Sequence, residues 1–501
     1  MTTAPPAPKP SPVLAGPGVF DRVFSFPVAI AGLLIVLAVL TMRSRFDDPD
    51  MWWHLKTGEV MWTTHAIPTT DIFSYTTNHH AYIPHEWLAQ LCIFAAYKLG
   101  GYSGLMLWLC FFTSAILIAG YTLCSLYSGN AKVAFLGAIA IWLFGTIGFS
   151  IRPQTIGYLL LVAELLLLHL GRTRNPRWFF ALPPLFAVWV NCHGSFFLGF
   201  AVAAILLFSS WFSFQRGSLL AISWDAPRRR MLTWALALSV LALFLNPVGV
   251  KLVLYPLDLM LHQPINLANV QEWQPLRLSD PRGLAFLATL GGLFLFLIVR
   301  RAELLWHELL LLALGAYLAA THERMLFVFG ILAAPILSRV FADSWDHYDA
   351  ARDRPLPNAV LIAASLLVAI WAFPSRQNLT RQVEQHSPVK AVDFIHTHHL
   401  SGPMMNDWIT GGYLIWAAPD HPVFIDGRAD VFEWSGVMTE FGNWATLQSP
   451  PSTLLDKYQI NFCILSRDSS MAFVLPLLPN WKTVYSDDQT VIFVRDPPAT
   501  H

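Results

Sequence analysis

Residues 45–54 read Arg45-Phe46-Asp47-Asp48-Pro49-Asp50-Met51-Trp52-Trp53-His54, and they follow directly on an apolar run at 26–42. A run of that length makes a helix able to cross most of a ~30 Å hydrocarbon core. Three carboxylates, two tryptophans and an imidazole therefore stand where a helix leaves a membrane. Carboxylates at a bilayer surface are ordinary; three within four residues, backed by aromatics that anchor among headgroups, are not. Three readings are open. Asp48-Pro49-Asp50 has a DxD spacing that can chelate Mg²⁺ or Mn²⁺ through Asp48 and Asp50. A carboxylate of the set can take a proton from a substrate hydroxyl. Asp47 and Asp48 can also cap a helix starting near Met51.

The rest of the chain agrees with a membrane setting. Of 501 residues 55% are hydrophobic and 13% charged, and mean hydropathy is +0.49. A soluble domain carries about 25% charged residues, so half the usual surface charge is missing. Apolar segments lie near 26–42, 104–127, 131–150, 155–171, 178–192, 195–213, 231–246, 284–300, 303–320, 325–341 and 357–374. The expected fold is a polytopic α-helical membrane protein with about eleven transmembrane helices. Lys+Arg and Asp+Glu both number 32, a balance that argues against a nucleic-acid partner. The 20 Trp suit interfacial belts first and sugar-stacking surfaces second. The five Cys form no CxxC and mostly lie in apolar runs, as small core residues do.

Basic residues set the expected orientation. Arg172, Arg174 and Arg177 share one loop, Arg216 and Arg228 to Arg230 a second, Arg300 and Arg301 a third. Eleven spans put all three on the N-terminal side, which the positive-inside rule makes cytoplasmic. The expectation is a multi-pass membrane protein: a disordered cytoplasmic tail over 1–25, a transmembrane domain over 26–374 whose first outer loop is 43–88, and an extracytoplasmic domain over 375–501. The first span reads as a retained anchor, with no small-residue cleavage site behind it. In the last region, 386–399 reads as a helix. Tyr413 to Trp416, Val423 to Ile425, Phe462 to Leu465 and Val491 to Val494 read as short buried strands, giving a small α/β domain.

On this topology the unusual polar residues fall on one face. His54, Asp71, His79, His80, His85 and Glu86 lie in the first loop, Arg152 after the third span, and Asn191 with His193 after the fifth. Asn246 follows the seventh, Glu272 and Trp273 lie beyond it, and His322, Glu323 and Arg324 join the ninth and tenth. A solvated loop places charges on both faces; this gathering predicts a single polar cavity open to the outer side. Arg152 and Arg324 border the hydrocarbon, where an arginine either snorkels or clamps a phosphate. Unpaired loop histidines are ordinarily surface groups, and none here shows zinc-site spacing.

Asp47-Asp48-Pro49-Asp50, then Asp71-Ile72-Phe73-Ser74, His85-Glu86-Trp87-Leu88 and a helix ending at Leu99-Gly100-Gly101 together resemble the first loop of GT-C membrane glycosyltransferases. The resemblance is to the protein O-mannosyltransferase and aminoarabinose-transferase branch and to related uncharacterised bacterial proteins. Asn406, Gly411 to Leu414 and Phe424 to Arg428 are similar to a C-terminal signature of the latter. Two features depart from the branch: the Trp52-Trp53-His54 run, and Glu86 where two prolines follow the histidine.

The resemblance implies a hexosyl or pentosyl transferase of a bacterial inner membrane. It would move a sugar from a polyprenyl-phosphate carrier to an extracytoplasmic acceptor, with inversion at the anomeric centre. Asp48, then Asp47, then Asp50 are the candidate bases; Arg152 and Arg324 would meet the phosphate charge. His85, Glu86, Glu272 and Trp273 would hold and stack the sugar, with His54, His193, His322 and Glu323 lining the site. Asp426 and Arg428 would either present the acceptor or form a structural salt bridge. Two other classes remain: a transporter or flippase for a lipid-linked glycan, which should show repeat symmetry, and a non-catalytic assembly or binding protein.

Overall fold

The computed structural model describes residues 19–496, apart from residue 78, residues 266–270, residue 347 and residues 350 and 351. The expected tail lies outside the described residues up to residue 18, and Val19–Val23 beyond it is a short helix.

Each of the apolar runs is helical. The helices are Phe26–Met42, the second half of Trp87–Ser128, Ala131–Gly145, Gln154–Thr173, Leu182–Cys192, Phe196–Ser209, Ala226–Ala242, Pro281–Arg300, Trp306–Thr321, Leu326–Val340 and Pro355–Ala372. Five helical stretches are long and apolar enough to cross a membrane: Val19–Met42, Trp87–Ser128, Gln154–Thr173, Pro281–Arg300 and Pro355–Ala372. The protein is a multi-pass membrane protein.

Phe26–Met42 and Pro355–Ala372 run parallel. At one end Phe26 N–H donates to Asp353 Oδ2 at 2.8 Å and Asn358 Nδ2 to the Phe24 carbonyl at 3.0 Å; at the other, Gln382 Nε2 donates to the Arg43 carbonyl at 2.9 Å. Both helices thus end at the face that carries Asp47 to Asp50. The opposite face carries a sheet too short for sequence reading. β1 (Phe214–Arg216) pairs antiparallel with β2 (Leu219–Ala221), which pairs parallel with β3 (Leu304–Leu305). Arg216 lies in that sheet, and Arg172 reaches His307 just after β3, so basic loops gather there.

Between the first two spans the chain builds the helix Met51–Thr64 and a loop to Glu86. Trp87–Ser128 then breaks at Gly101, whose φ of +59° and ψ of −141° suit glycine alone. The halves fold closely, since a Cβ on Gly104 would stand 2.0 Å from the Ala96 carbonyl.

The C-terminal region holds a four-stranded sheet of order β4-β5-β7-β6, from Met404–Asn406, Phe462–Ser466, Thr490–Arg495 and Trp481–Ser486. β4 and β5 are parallel and the other pairings antiparallel. Successive side chains of a strand alternate faces. Phe462 and Ile464 join the core continuous with the membrane helices, while Cys463 and Leu465 join a second core around Phe424, Phe432 and Trp444. Burial on both faces is why β5 reads as an unbroken apolar run.

Two strand expectations need correction. Tyr413 to Trp416 is not a strand but part of the helix Trp408–Ala417. An apolar run of four is ambiguous between the two, and packing against Met51–Thr64 decides it, with Trp52 edge-on to Tyr413 at 5.0 Å. Val423 to Ile425 is extended but outside the sheet, held by a parallel bridge of Val423 to Ser74. The helix read over 386–399 is present as Val389–Thr397, and a separate helix, Arg376–His386, precedes it. Pro388 separates them, because it disfavours helical backbone before it.

Candidate active site

Asp50 is the N-cap residue of Met51–Thr64, yet its side chain makes no capping hydrogen bond. The carboxylates point elsewhere. Arg152, in the turn before Gln154–Thr173, donates from Nε to Asp48 Oδ2 at 2.6 Å; its Nη1 lies 3.1 Å from Asp50 Oδ2 and 3.2 Å from Glu272 Oε1. One guanidinium therefore holds three acids. Glu272 Oε2 is 3.6 Å from Arg324 Nη1, and Arg324 lies over the Trp273 ring at 4.7 Å and donates to Gln154. The edge of His322 meets Trp273 at 5.5 Å.

The three aspartates differ. Asp47 is exposed and makes no contact with this cluster among the described residues, so the structure does not bring it to the site. Asp48 is engaged at both oxygens, since Oδ1 accepts the Asp50 amide at 3.0 Å. Asp50 keeps 21% of its side-chain surface open. Burial, with Asp48 and Glu272 nearby, pushes its carboxyl up to about 6 against the pull of Arg152. For Arg152 burial opposes the charge, but Asp48, Asp50 and Glu272 outweigh it and hold the guanidinium firmly protonated.

A second cluster completes the cleft. Glu86, just before Trp87–Ser128, is met by His54 Nδ1 at 3.7 Å, His85 Nε2 at 3.7 Å and His193 Nε2 at 3.5 Å. These are longer than hydrogen bonds. Gln90 Nε2 lies 3.2 Å from His54 Nδ1. The Ser195 amide donates to His193 Nδ1 at 3.1 Å, which leaves the ring proton on Nε2, facing Glu86. Burial, then Arg152, His85 and His193, lowers His54; burial, then Arg324 and His85, lowers His193. Both imidazoles are neutral at pH 7. Burial raises the Glu86 carboxyl despite His85, Arg324 and Arg152. His85 stacks on Tyr255 at 4.2 Å, and the Tyr255 hydroxyl donates to Asp430 Oδ2 at 2.6 Å.

The C-terminal region closes the cleft from the side. A Cβ on Gly427 would stand 2.0 Å from Asp50 Oδ1, and one on Gly412 2.6 Å from the Pro49 carbonyl. The Trp53 indole Nε1 is buried in the same corner, and its N–H toward Asp50 helps to hold that carboxyl down. Arg428 takes no part: its Nη2 meets Asp426 Oδ2 at 2.6 Å and its Nη1 meets Asp71 Oδ1 at 2.7 Å, all three nearly fully buried. Asp71, expected among the cavity residues, is thus a structural anchor.

Glu323 sits at the rim, paired with Arg282 at 2.9 Å. Sequence reading missed Trp53, Gln90, Tyr255, Asp430 and Gly427. Only Trp53 and Gly427 gave a signal, by standing inside the acidic run and the C-terminal signature. A divalent ion on the Asp48–Asp50 pair would have to displace Arg152. Arg152 fills the space between the two carboxylates, and among the described residues no three His, Cys, Asp or Glu converge as ligands.

This architecture has known counterparts. The oligosaccharyltransferase of Archaeoglobus fulgidus in its apo form matches at TM-score 0.54 and 12% identity, over 96% of this chain and 75% of that one. ArnT from Cupriavidus metallidurans, bound to undecaprenyl phosphate, matches at TM-score 0.52 and 15% identity, over 95% and 98%. The chain has the GT-C fold. No protein-family profile matches the sequence, and no curated protein is significantly similar to it. At such identities the GT-C likeness is one of fold, and residue roles rest on the cleft itself.

Proposed function

We propose that the protein is an integral-membrane glycosyltransferase that moves a sugar from a polyprenyl-phosphate carrier to an acceptor on the cleft's side of the membrane. The observation that carries this reading is the pairing of Asp48, Asp50 and Glu272 on Arg152, with Arg324 alongside: a carboxylate tuned near neutrality within reach of two guanidinium groups. The cleft side is the extracytoplasmic face of a bacterial inner membrane, with the N-terminus cytoplasmic, in keeping with the basic residues gathered opposite. The solved neighbours named above, an oligosaccharyltransferase and an undecaprenyl-phosphate-bound ArnT, support the carrier class.

Asp50 is the base, ahead of Asp48. Its open oxygen accepts the acceptor hydroxyl's proton as that oxygen attacks the anomeric carbon. The bond from that carbon to the phosphate oxygen breaks, and its electron pair leaves on polyprenyl phosphate. Arg152 and Arg324 meet the developing charge, and no metal is routed through the step. Asp48 anchors Arg152. Trp273, with Arg324 on one side, supplies stacking surface for a hexosyl or pentosyl ring, and the Trp53 N–H supports the Asp50 carboxylate. The Glu86 group lines the same cleft.

The test is transfer of label from radiolabelled polyprenyl-phosphate sugars to membrane-extract acceptors by purified wild type, Asp50→Ala and Asp48→Ala. A labelled product lost in both variants supports the reading. Donor binding without turnover in wild type overturns it in favour of a flippase or a binding protein.

A further inference from the structure

Away from the cleft, a groove of about 750 Å³ runs between the kinked helix Trp87–Ser128 and the C-terminal end of Pro355–Ala372. Its walls are apolar, with Leu99, Leu107, Trp108, Phe111, Ile370 and Phe373 among them. Leu107, Phe111 and Ile370 are exposed, as residues facing lipid are. The groove continues into a hollow of about 320 Å³ whose lining includes Gly101, Tyr102 and Ser103 together with the exposed Arg376 and Thr380. Leu99, Gly100 and Ser103 are common to both.

Three observations say what fits it. First, the ten residue steps from Gly101 to Phe111 rise about 15 Å, half of a ~30 Å hydrocarbon core, so the apolar part spans one leaflet. Second, the polar end carries a cation without a protein partner: Arg376 makes no ion pair among the described residues. It opens the helix Arg376–His386, whose N-terminal dipole adds to its charge, and Thr380 lies one turn on along the same face. Third, the groove is walled from the acid cleft. Tyr102 packs edge-on to Phe46 at 5.5 Å and Trp52 at 6.1 Å, the buried rings that flank Asp47 to Asp50. A carrier whose phosphate lies at Arg152 and Arg324 does not thread through that wall.

We propose that this groove is a binding site for an anionic glycerophospholipid of the leaflet on the cleft's side, its acyl chain along Leu107 to Phe111 and its phosphate on Arg376, Thr380 and Ser103. The lipid braces the Gly101 kink, where a Cβ on Gly100 or Gly101 would meet nothing within 4 Å. The kink joins the membrane-spanning half of the helix to the half that carries Gln90 beside His54. The site rests on the membrane setting alone and stands whether or not the protein transfers sugar.

The test uses full-length protein in neutral phosphatidylcholine nanodiscs with a trace of phosphatidylglycerol bearing a mid-chain diazirine. Labelled peptides are mapped by mass spectrometry. Labelling is expected on 103–111 and 366–373, competed by unlabelled phosphatidylglycerol but not by added phosphatidylcholine. Arg376→Glu should reduce it at least five-fold, and Leu107→Trp, which fills the groove, should reduce it on 366–373. Both variants must elute as monodisperse species; where Arg376→Glu does not, Arg376→Gln replaces it. Labelling unaffected by the Arg376 change, located elsewhere, or competed by polyprenyl phosphate rather than phosphatidylglycerol overturns the proposal.

Discussion

Arg152 and Asp48 meet at 2.6 Å across 104 residues of chain, Nε against Oδ2, and the same guanidinium reaches Asp50 at 3.1 Å. A planar fork can bridge two acids and still be drawn toward a phosphate; an ammonium lacks that geometry. Arg152→Lys should therefore cost roughly 10²-fold in kcat/KM, the scale of losing a donor aimed at developing charge. Arg152→Ala should cost more. Transfer assays with a lipid-linked sugar donor check this, and activity retained in Arg152→Lys would show that Arg152 is only a counter-ion.

Asp50 supplies a pH dependence. A base must be ionised, so with its carboxyl near 6 the rate should be level above about pH 7 and fall roughly tenfold per unit below about 6. Arg152 pulls that value down and Glu272 pushes it up. Glu272→Gln should move the acid limb to lower pH. The limb staying in place would exclude Asp50 as the titrating group.

The same shift has a stability consequence. The folded value lies above the ordinary 3.8, so between about 4 and 6 the folded state binds more protons than the unfolded one. Stability contributed by this group is therefore present at low pH and lost as pH rises through that window. Asp50→Asn should raise Tm at pH 7.5 relative to wild type and do so less at pH 4, while abolishing transfer. A Tm lowered at both pH values would sink the argument.

Much of the fold was legible because spans must be long and apolar, and the charged loops between them separate by side. The cleft was legible only as a list. Nothing in the spacing of Asp48 and Arg152 says that they touch, because that contact depends on how Gln154–Thr173 packs beside the first two spans. Tyr413 to Trp416 was misread because four apolar residues carry no period, and the deciding partner, Trp52, is some 360 positions away in the chain. The β1–β2–β3 sheet escaped because strands of two or three residues show no alternation. Arg428 was ambiguous between acceptor binding and a salt bridge until Asp71 appeared opposite it.

That Asp71–Arg428–Asp426 group makes a separate prediction. Burial raises Asp426 despite Arg428, while Arg428, Ser74 and Thr77 together hold Asp71 low against its own burial. Removing Arg428 leaves two buried carboxylates without their cation, which costs about 3–5 kcal/mol. Arg428→Met should therefore lower Tm sharply, and Asp71→Asn, which leaves Arg428 paired with Asp426, should lower it less. Thermal unfolding in detergent tests this; a normal Tm with lost transfer would instead make Arg428 part of the acceptor site.

Chelation probes the acid pair directly. With Arg152 between Asp48 and Asp50, added EDTA should leave transfer within about two-fold of untreated enzyme, and Mn²⁺ should not rescue Arg152→Ala. Loss of activity in EDTA with recovery on Mn²⁺ would show that Arg152 swings away and the DxD pair binds the ion.

Gly427 separates the fold of the C-terminal region from its contribution to the cleft. A Cβ there would stand 2.0 Å from Asp50 Oδ1 and 3.2 Å from Trp53 Nε1, so Gly427→Ala must displace the proposed base. The displaced group is a side chain with room on its open side, so the fold should tolerate the change. Gly436 is the contrast: its φ is +77° and a Cβ there would meet nothing within 4 Å. Ala at Gly436 should cost about 1 kcal/mol of stability through backbone strain and leave transfer unchanged. Gly427→Ala should show the reverse, a near-native Tm with transfer down at least ten-fold, and its acid limb should shift as Asp50 changes surroundings. Loss of Tm without a change in transfer would reduce Gly427 to a packing residue and remove the C-terminal region from the chemistry.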